Sequence, residues 1–148
     1  MNTPSRGLAL AACTVALVLP GVLAGCSSDP TTTSASAETG RAGGPIRVGV
    51  AEFAKLAGSP GVQIIDVRTP EEFADGHIEG AVNIPVQGRD FDARVAGLDP
   101  NGTYAVYCRS GNRSQPAVAA MHSAGIRTVY ELDSGTRGWT SKGRPLVQ

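Results

Sequence analysis

From residue 46 onward, short apolar runs alternate with stretches of helical period. Residues 46–48 read as a short edge strand. Residues 50–56 have helical spacing, with Val50, Phe53, Ala54 and Ala57 on one face. Val62-Gln63-Ile64-Ile65-Asp66 is an apolar run between Gly61 and the turn Arg68-Thr69-Pro70, which predicts a buried strand. Thr69-Pro70-Glu71-Glu72 is a helix start: Thr69 can cap, Pro70 suits the first helical position, and the glutamates complement the helix dipole. Gly76 and Gly80 break that helix, residues 81–85 predict another strand, and residues 90–96 another helix. Residues 103–107 predict a central buried strand. Residues 114–124 predict a helix lined by Ala117, Ala120, Met121 and Ala124, with Pro116 in its first turn and Gly125 at its end. Residues 128–132 predict the last strand, and Trp139 packs into the core from a short terminal helix or turn. Strands that alternate with helices imply a mostly parallel sheet covered on both faces. Functional sites in such sheets lie at the carboxyl ends of strands.

The first 44 residues follow a different pattern. Arg6 precedes an apolar stretch, residues 8–23, interrupted by Pro20 and Gly21. Its length and the small residues after it predict an export signal over residues 1–25, with an uncleaved membrane anchor as the alternative. Leu23-Ala24-Gly25-Cys26 resembles the lipobox of bacterial lipoproteins. The resemblance implies cleavage before Cys26 and a lipid on its sulfur. The domain would then be exported and lipid-anchored to the bacterial cell membrane on the extracytoplasmic side. Residues 27–44 are Ser, Thr, Ala, Gly and Pro with few charges, too polar to bury surface against ordering entropy. Residues 26–44 therefore read as a lipidated cysteine with a flexible linker, and residues 45–148 as one domain.

Charge and cysteine usage narrow the chemistry. Thirteen basic residues balance thirteen acidic ones, with no basic run, so no nucleic-acid partner is expected. Of three cysteines, Cys13 would leave with the signal and Cys26 would carry lipid, which leaves Cys108 as the free thiol. It lies in Tyr107-Cys108-Arg109-Ser110-Gly111-Asn112-Arg113-Ser114, between a strand and a helix. Such a turn points several N–H groups into one concavity, with the positive end of a helix behind it. A sulfur placed there should be a thiolate near neutral pH, and its polar neighbours argue against burial in an apolar core. The same concavity suits an oxyanion such as thiosulfate, with fixed positive charge from Arg109 and Arg113.

These motifs together resemble the single-domain rhodaneses. The matching residues are Asp66-Val67-Arg68, Glu72-Phe73, Gly76-His77-Ile78, Gly80-Ala81, Asn83-Ile84-Pro85, the loop from Cys108 to Arg113, Gly138-Trp139, Gly143 and Pro145. The resemblance implies an α/β fold with a central, mostly parallel five-stranded sheet and helices on both faces. It also implies transfer of sulfane sulfur from thiosulfate or a persulfide donor to a thiol or protein acceptor, through a persulfide on Cys108 and without a cofactor. Arg109, Ser110, Gly111, Asn112 and Arg113 are then the substrate-binding candidates, although the Arg113 side chain has the alternative of bracing neighbouring segments. Ser134 departs from the family, which often has glycine there; the expected consequence is an altered turn.

Other polar residues have plainer readings. Asp66 and Arg68 are structural residues near the site, with Arg68 expected to pair with Glu72. His77 caps or bonds a turn, and His122 has no ligand-spaced partner. With two histidines and one free thiol, a metal site is not expected. Rhodanese-like phosphatases are a rival reading, but they use a loop with five residues between Cys and Arg, whereas here there are four. A non-enzymatic sulfide or redox sensor, or a binding module of the cell envelope, is the other rival.

Overall fold

The computed structural model describes residues 45–148. The expected signal at 1–25, Cys26 and the linker to residue 44 lie outside the described residues.

Five strands form one sheet in the order β1-β5-β4-β2-β3, and every neighbouring pair is parallel. The strands are β1 (Ile46–Val48), β2 (Val62–Asp66), β3 (Ala81–Asn83), β4 (Thr103–Tyr107) and β5 (Thr128–Leu132). The helices are α1 (Val50–Ala57), α2 (Pro70–Asp75), α3 (Phe91–Ala96), α4 (Ser114–Ser123) and α5 (Gly135–Ser141). The central place of β4 follows from its sequence. Tyr104, Ala105, Val106 and Tyr107 are all buried, an apolar run that only a strand covered on both faces can hide. Burial of each large side chain contributes roughly 1.5–3 kcal/mol.

Strand parity sorts these residues into two cores. On one face, Ile65, Tyr104, Val106 and Val129 pack with Phe91 and Val95 of α3 and Ala117, Val118 and Met121 of α4. On the other, Ile64, Ala105, Tyr107 and Leu132 pack with Val50 and Phe53 of α1 and Trp139 of α5. Helices thus cover both faces of the sheet. The buried face of α4 differs from the sequence expectation. Val118 is buried, while Ala124 is exposed because the helix ends at Ser123 and Ala124 is its C-cap.

α2 begins where its sequence says it should. Thr69 caps it and, with Glu72, completes a capping box: the Glu72 N–H donates to Thr69 Oγ1 and the Thr69 N–H to Glu72 Oε2. The short C-terminal segment returns to this end of the sheet. His77 and Val147 exchange two backbone hydrogen bonds of 2.8 Å. His77 Nδ1 lies 3.1 Å from the Phe73 carbonyl, so it bonds the turn as expected. No described helix is long and apolar enough to cross a membrane.

Candidate active site

Cys108 follows β4 directly, and the loop 108–113 leads into α4. Three loop carbonyls are held outward. The Thr136 N–H donates to Cys108 O at 2.9 Å, the Arg137 N–H to Arg109 O at 3.1 Å, and Gln115 Nε2 to Gly111 O at 2.9 Å. In a trans peptide the N–H points opposite to the C=O. Fixing these carbonyls therefore turns the N–H groups of Arg109, Ser110 and Asn112 to the other side. The Gly111 N–H donates to Cys108 Sγ at 3.2 Å.

Two glycines make the loop possible. Gly111 has φ +83° and its α-carbon faces the Asp133 carbonyl, so a β-carbon would collide with that backbone. Gly135 has φ +57° and lies against the backbone of Cys108, Arg109 and Ser110 in the same way. The neighbouring Ser134 is an ordinary fit at φ −105°; its side chain occupies space that Gly138 leaves open.

Cys108 is fully buried and belongs to the α3–α4 core, contrary to the expectation from its polar neighbours. The reason is directional. The side chains of Arg109 and Asn112 point out of the loop, while Sγ points to its floor, on the same face as Val106. Burial alone raises the thiol. Hydrogen bonds around the sulfur lower it, among them the N–H groups of Ser110, Ser114 and Arg113, and the net shift is downward. Among the described residues Cys108 is the free cysteine.

The two loop arginines are placed differently. Arg113 makes a bidentate pair with Glu72, Nη1 to Oε2 at 2.6 Å and Nη2 to Oε1 at 2.7 Å. The capping-box glutamate of α2 thereby braces the end of the loop, and the Arg113 guanidinium is not free to bind a donor. Arg109 is exposed and makes no ion pair among the described residues. It lines a cleft of about 420 Å³ together with Arg68, Glu72, Thr136 and Arg137. Ser110 and Gly111 reach the sulfur through their backbone N–H groups, and the Asn112 side chain is exposed.

The expected Arg68–Glu72 pair is not formed. Arg68 pairs with Asp66: Nε donates at 3.0 and 2.9 Å and Nη2 at 2.6 Å, and the Arg68 N–H also donates to Oδ1 at 2.8 Å. Arg68 lies in the bend between β2 and the cap of α2, outside the helix, and its guanidinium turns back onto Asp66, two residues away. Asn83 Nδ2 ties the same corner by donating to the carbonyls of Asp66 and Arg68.

One residue escaped the sequence reading. Glu131 of β5 is 1% exposed, accepts from Ser114 Oγ at 2.7 Å, and pairs with Arg47 Nε at 3.2 Å. The signal was a carboxylate inside the otherwise apolar strand TVYEL. Among the described residues, no group of three or more His, Cys, Asp or Glu side chains is placed to hold a metal ion.

A free cysteine at the carboxyl end of the central strand, cradled by a six-residue loop, defines an α/β protein built around a thiol whose anion the loop N–H groups stabilise. The Rhodanese-like domain family matches residues 49–142, and the chain belongs to it. It is similar to thiosulfate sulfurtransferase 16, chloroplastic, of Arabidopsis thaliana, 34% identical over 119 residues, covering 74% of this chain and 97% of that protein. It is also similar to thiosulfate sulfurtransferase GlpE of Pseudomonas aeruginosa (strain LESB58), 37% identical over 91 residues, covering 61% and 80%. Among solved structures, a rhodanese-related protein from Thermoplasma volcanium superposes with a TM-score of 0.61 at 27% identity, covering 69% of this chain and 97% of that one.

Proposed function

We propose that the chain is a sulfurtransferase that carries sulfane sulfur on Cys108, taking it from thiosulfate or a persulfide donor and passing it to a thiol or protein acceptor. The observation that carries this reading is Sγ at the floor of a loop whose N–H groups lower the thiol. The Cys108 thiolate attacks the outer sulfur of thiosulfate. A new S–S bond forms at Sγ, the donor's S–S bond breaks, and sulfite leaves with the electron pair. The negative charge of the persulfide then lies among the loop N–H groups, preorganised for it. A nucleophilic acceptor takes the outer sulfur and restores the thiolate. Arg109, exposed at the adjoining cleft, is the side chain placed to meet an anionic donor. The names of the similar sulfurtransferases support the same chemistry. Four residues between Cys108 and Arg113 make the loop shorter than the phosphatase type.

The test is peptide mass spectrometry of the full chain, digested without reductant after thiosulfate treatment. The expected result is a gain of about 32 Da on the Cys108 peptide, reversed by cyanide or a thiol. Cys108→Ser should show no gain there. An unchanged wild-type mass with both thiosulfate and persulfide donors would turn the reading to a sensing or binding module.

We further infer that the chain is exported and held at the membrane by a lipid on Cys26. The support is Leu23-Ala24-Gly25-Cys26 after an apolar stretch and before a polar linker. Cys26→Ala should abolish lipid labelling and leave uncleaved precursor. Continued cleavage at the same bond would make the segment an ordinary secretory signal. A tether on a polar leash would raise the local concentration of the site toward envelope partners.

A further inference from the structure

Behind Cys108 lies a buried polar chain that sulfur transfer as described does not use. Ser114 Oγ is 2.7 Å from Glu131 Oε1 and 3.6 Å from Cys108 Sγ. All three residues are essentially without solvent contact. The charged groups that face them are Arg47 from β1, paired with Glu131, and Arg113 from the end of the loop, paired with Glu72 of α2.

A hydroxyl has one hydrogen to give, and an ionised carboxylate only accepts. Ser114 therefore cannot serve Glu131 and the sulfur at once. The short, charge-assisted contact to Glu131 wins over the longer contact to Sγ. The hydroxyl then turns a lone pair toward Cys108. A thiol can donate its S–H into that lone pair. A thiolate on Sγ has nothing to receive from it and meets the Glu131 charge just beyond the Ser114 oxygen, in a region shielded from water. In the persulfide the position is different. Sγ carries neither a proton nor the main charge, which has moved to the outer sulfur.

We propose that Glu131, acting through Ser114, is a positioning residue that restrains the unloaded Cys108 as a thiol and favours the sulfur-loaded state over the bare thiolate. The loop N–H groups pull the sulfur toward ionisation, and Glu131 pulls the other way. The preference for the loaded state rests on the sulfurtransferase reading above. The restraint on the thiol does not.

The experiment follows alkylation of Cys108 by iodoacetamide against pH in the full chain, resolved from Cys13 and Cys26 by peptide mass spectrometry. In Glu131→Gln the amide can donate to Ser114 and release its hydrogen to the sulfur. The midpoint should fall by about one pH unit, so that alkylation below it speeds up about tenfold. Ser114→Ala should leave the wild-type midpoint in place, yet raise that of Glu131→Gln. At a fixed ratio of thiosulfate to sulfite, Glu131→Gln should hold several-fold less persulfide. An unchanged or higher midpoint in folded Glu131→Gln overturns the proposal. If that variant does not fold, Ser114→Ala alone decides: a rise of about one pH unit would mean the hydroxyl already served the sulfur, and the proposal fails. A midpoint shift in a protein that takes up no sulfur would leave the restraint standing and remove the sulfurtransferase reading.

Discussion

Two buried ionic groups lie close to the reactive loop, on opposite faces of the sheet, and they differ in how their hydrogens are shared out. Asp66 and Arg68 share the face of Tyr107. There the guanidinium meets both carboxylate oxygens, donates to Gly76 O at 2.7 Å, and lies 5.7 Å from the Tyr107 ring centroid. Its Nε and Nη2 donors and both carboxylate oxygens of Asp66 are thus matched with one another. Glu131 and Ser114 share the face of Cys108, where one hydroxyl hydrogen lies between a carboxylate and a sulfur. Burial is the same in the two places. A closed set of partners can only hold its shape. A set with one donor too few must change when the sulfur gains or loses charge.

The largest expected effect tests the closed pair. Arg68→Met removes the cation and leaves Asp66 buried beside an apolar chain. Loss of one partner of a buried pair costs about 3–5 kcal/mol, which denaturant unfolding would read as a large fall in midpoint. Glu131→Gln keeps a hydrogen bond to Ser114, and its cost should be only about 1 kcal/mol. Equal losses in the two variants would break the contrast between the faces.

Local patterns in the sequence carried the elements, the Thr69 cap of α2 and the place of Cys108. Each depends on residues within a few positions of one another. The ion pairs do not. Arg68 and Glu72 are four apart, a helical spacing, but the helix begins at Pro70, so the rule for helix faces does not apply. From the bend before that helix Arg68 turns back to Asp66, and Glu72 is left to reach Arg113, 41 residues away. The register of β5 against β1 and β4 places Glu131 beside Arg47 and Val106, which no short window reveals. The charge inside an apolar strand was visible, and its partners were not. Burial of Cys108 was hidden for a related reason. Composition describes the loop's side chains, whereas exposure depends on which of them turn inward.

A third ionic group, Glu72 with Arg113, gives the smallest effect. Both side chains remain about a quarter exposed, at 28% and 27%, so water screens the pair. Glu72→Gln should cost only about 1 kcal/mol despite the bidentate geometry. Its pH dependence is the sharper measurement. Hydrogen bonds from Arg113 outweigh the opposing effect of burial and hold the Glu72 carboxyl at about 2, against an ordinary value of 4.5. A carboxyl whose folded value is depressed stabilises the fold fully above its unfolded value. That contribution fades as pH falls from about 4.5 toward 2, where the carboxyl is protonated in both states. The difference in unfolding free energy between wild type and Glu72→Gln should therefore be constant near neutral pH and shrink steadily through that window. A difference that stays constant down to the lower limit would show that Glu72 braces the loop as a neutral hydrogen-bonding group. Arg113 would then resemble the closed Asp66–Arg68 corner less than its geometry implies.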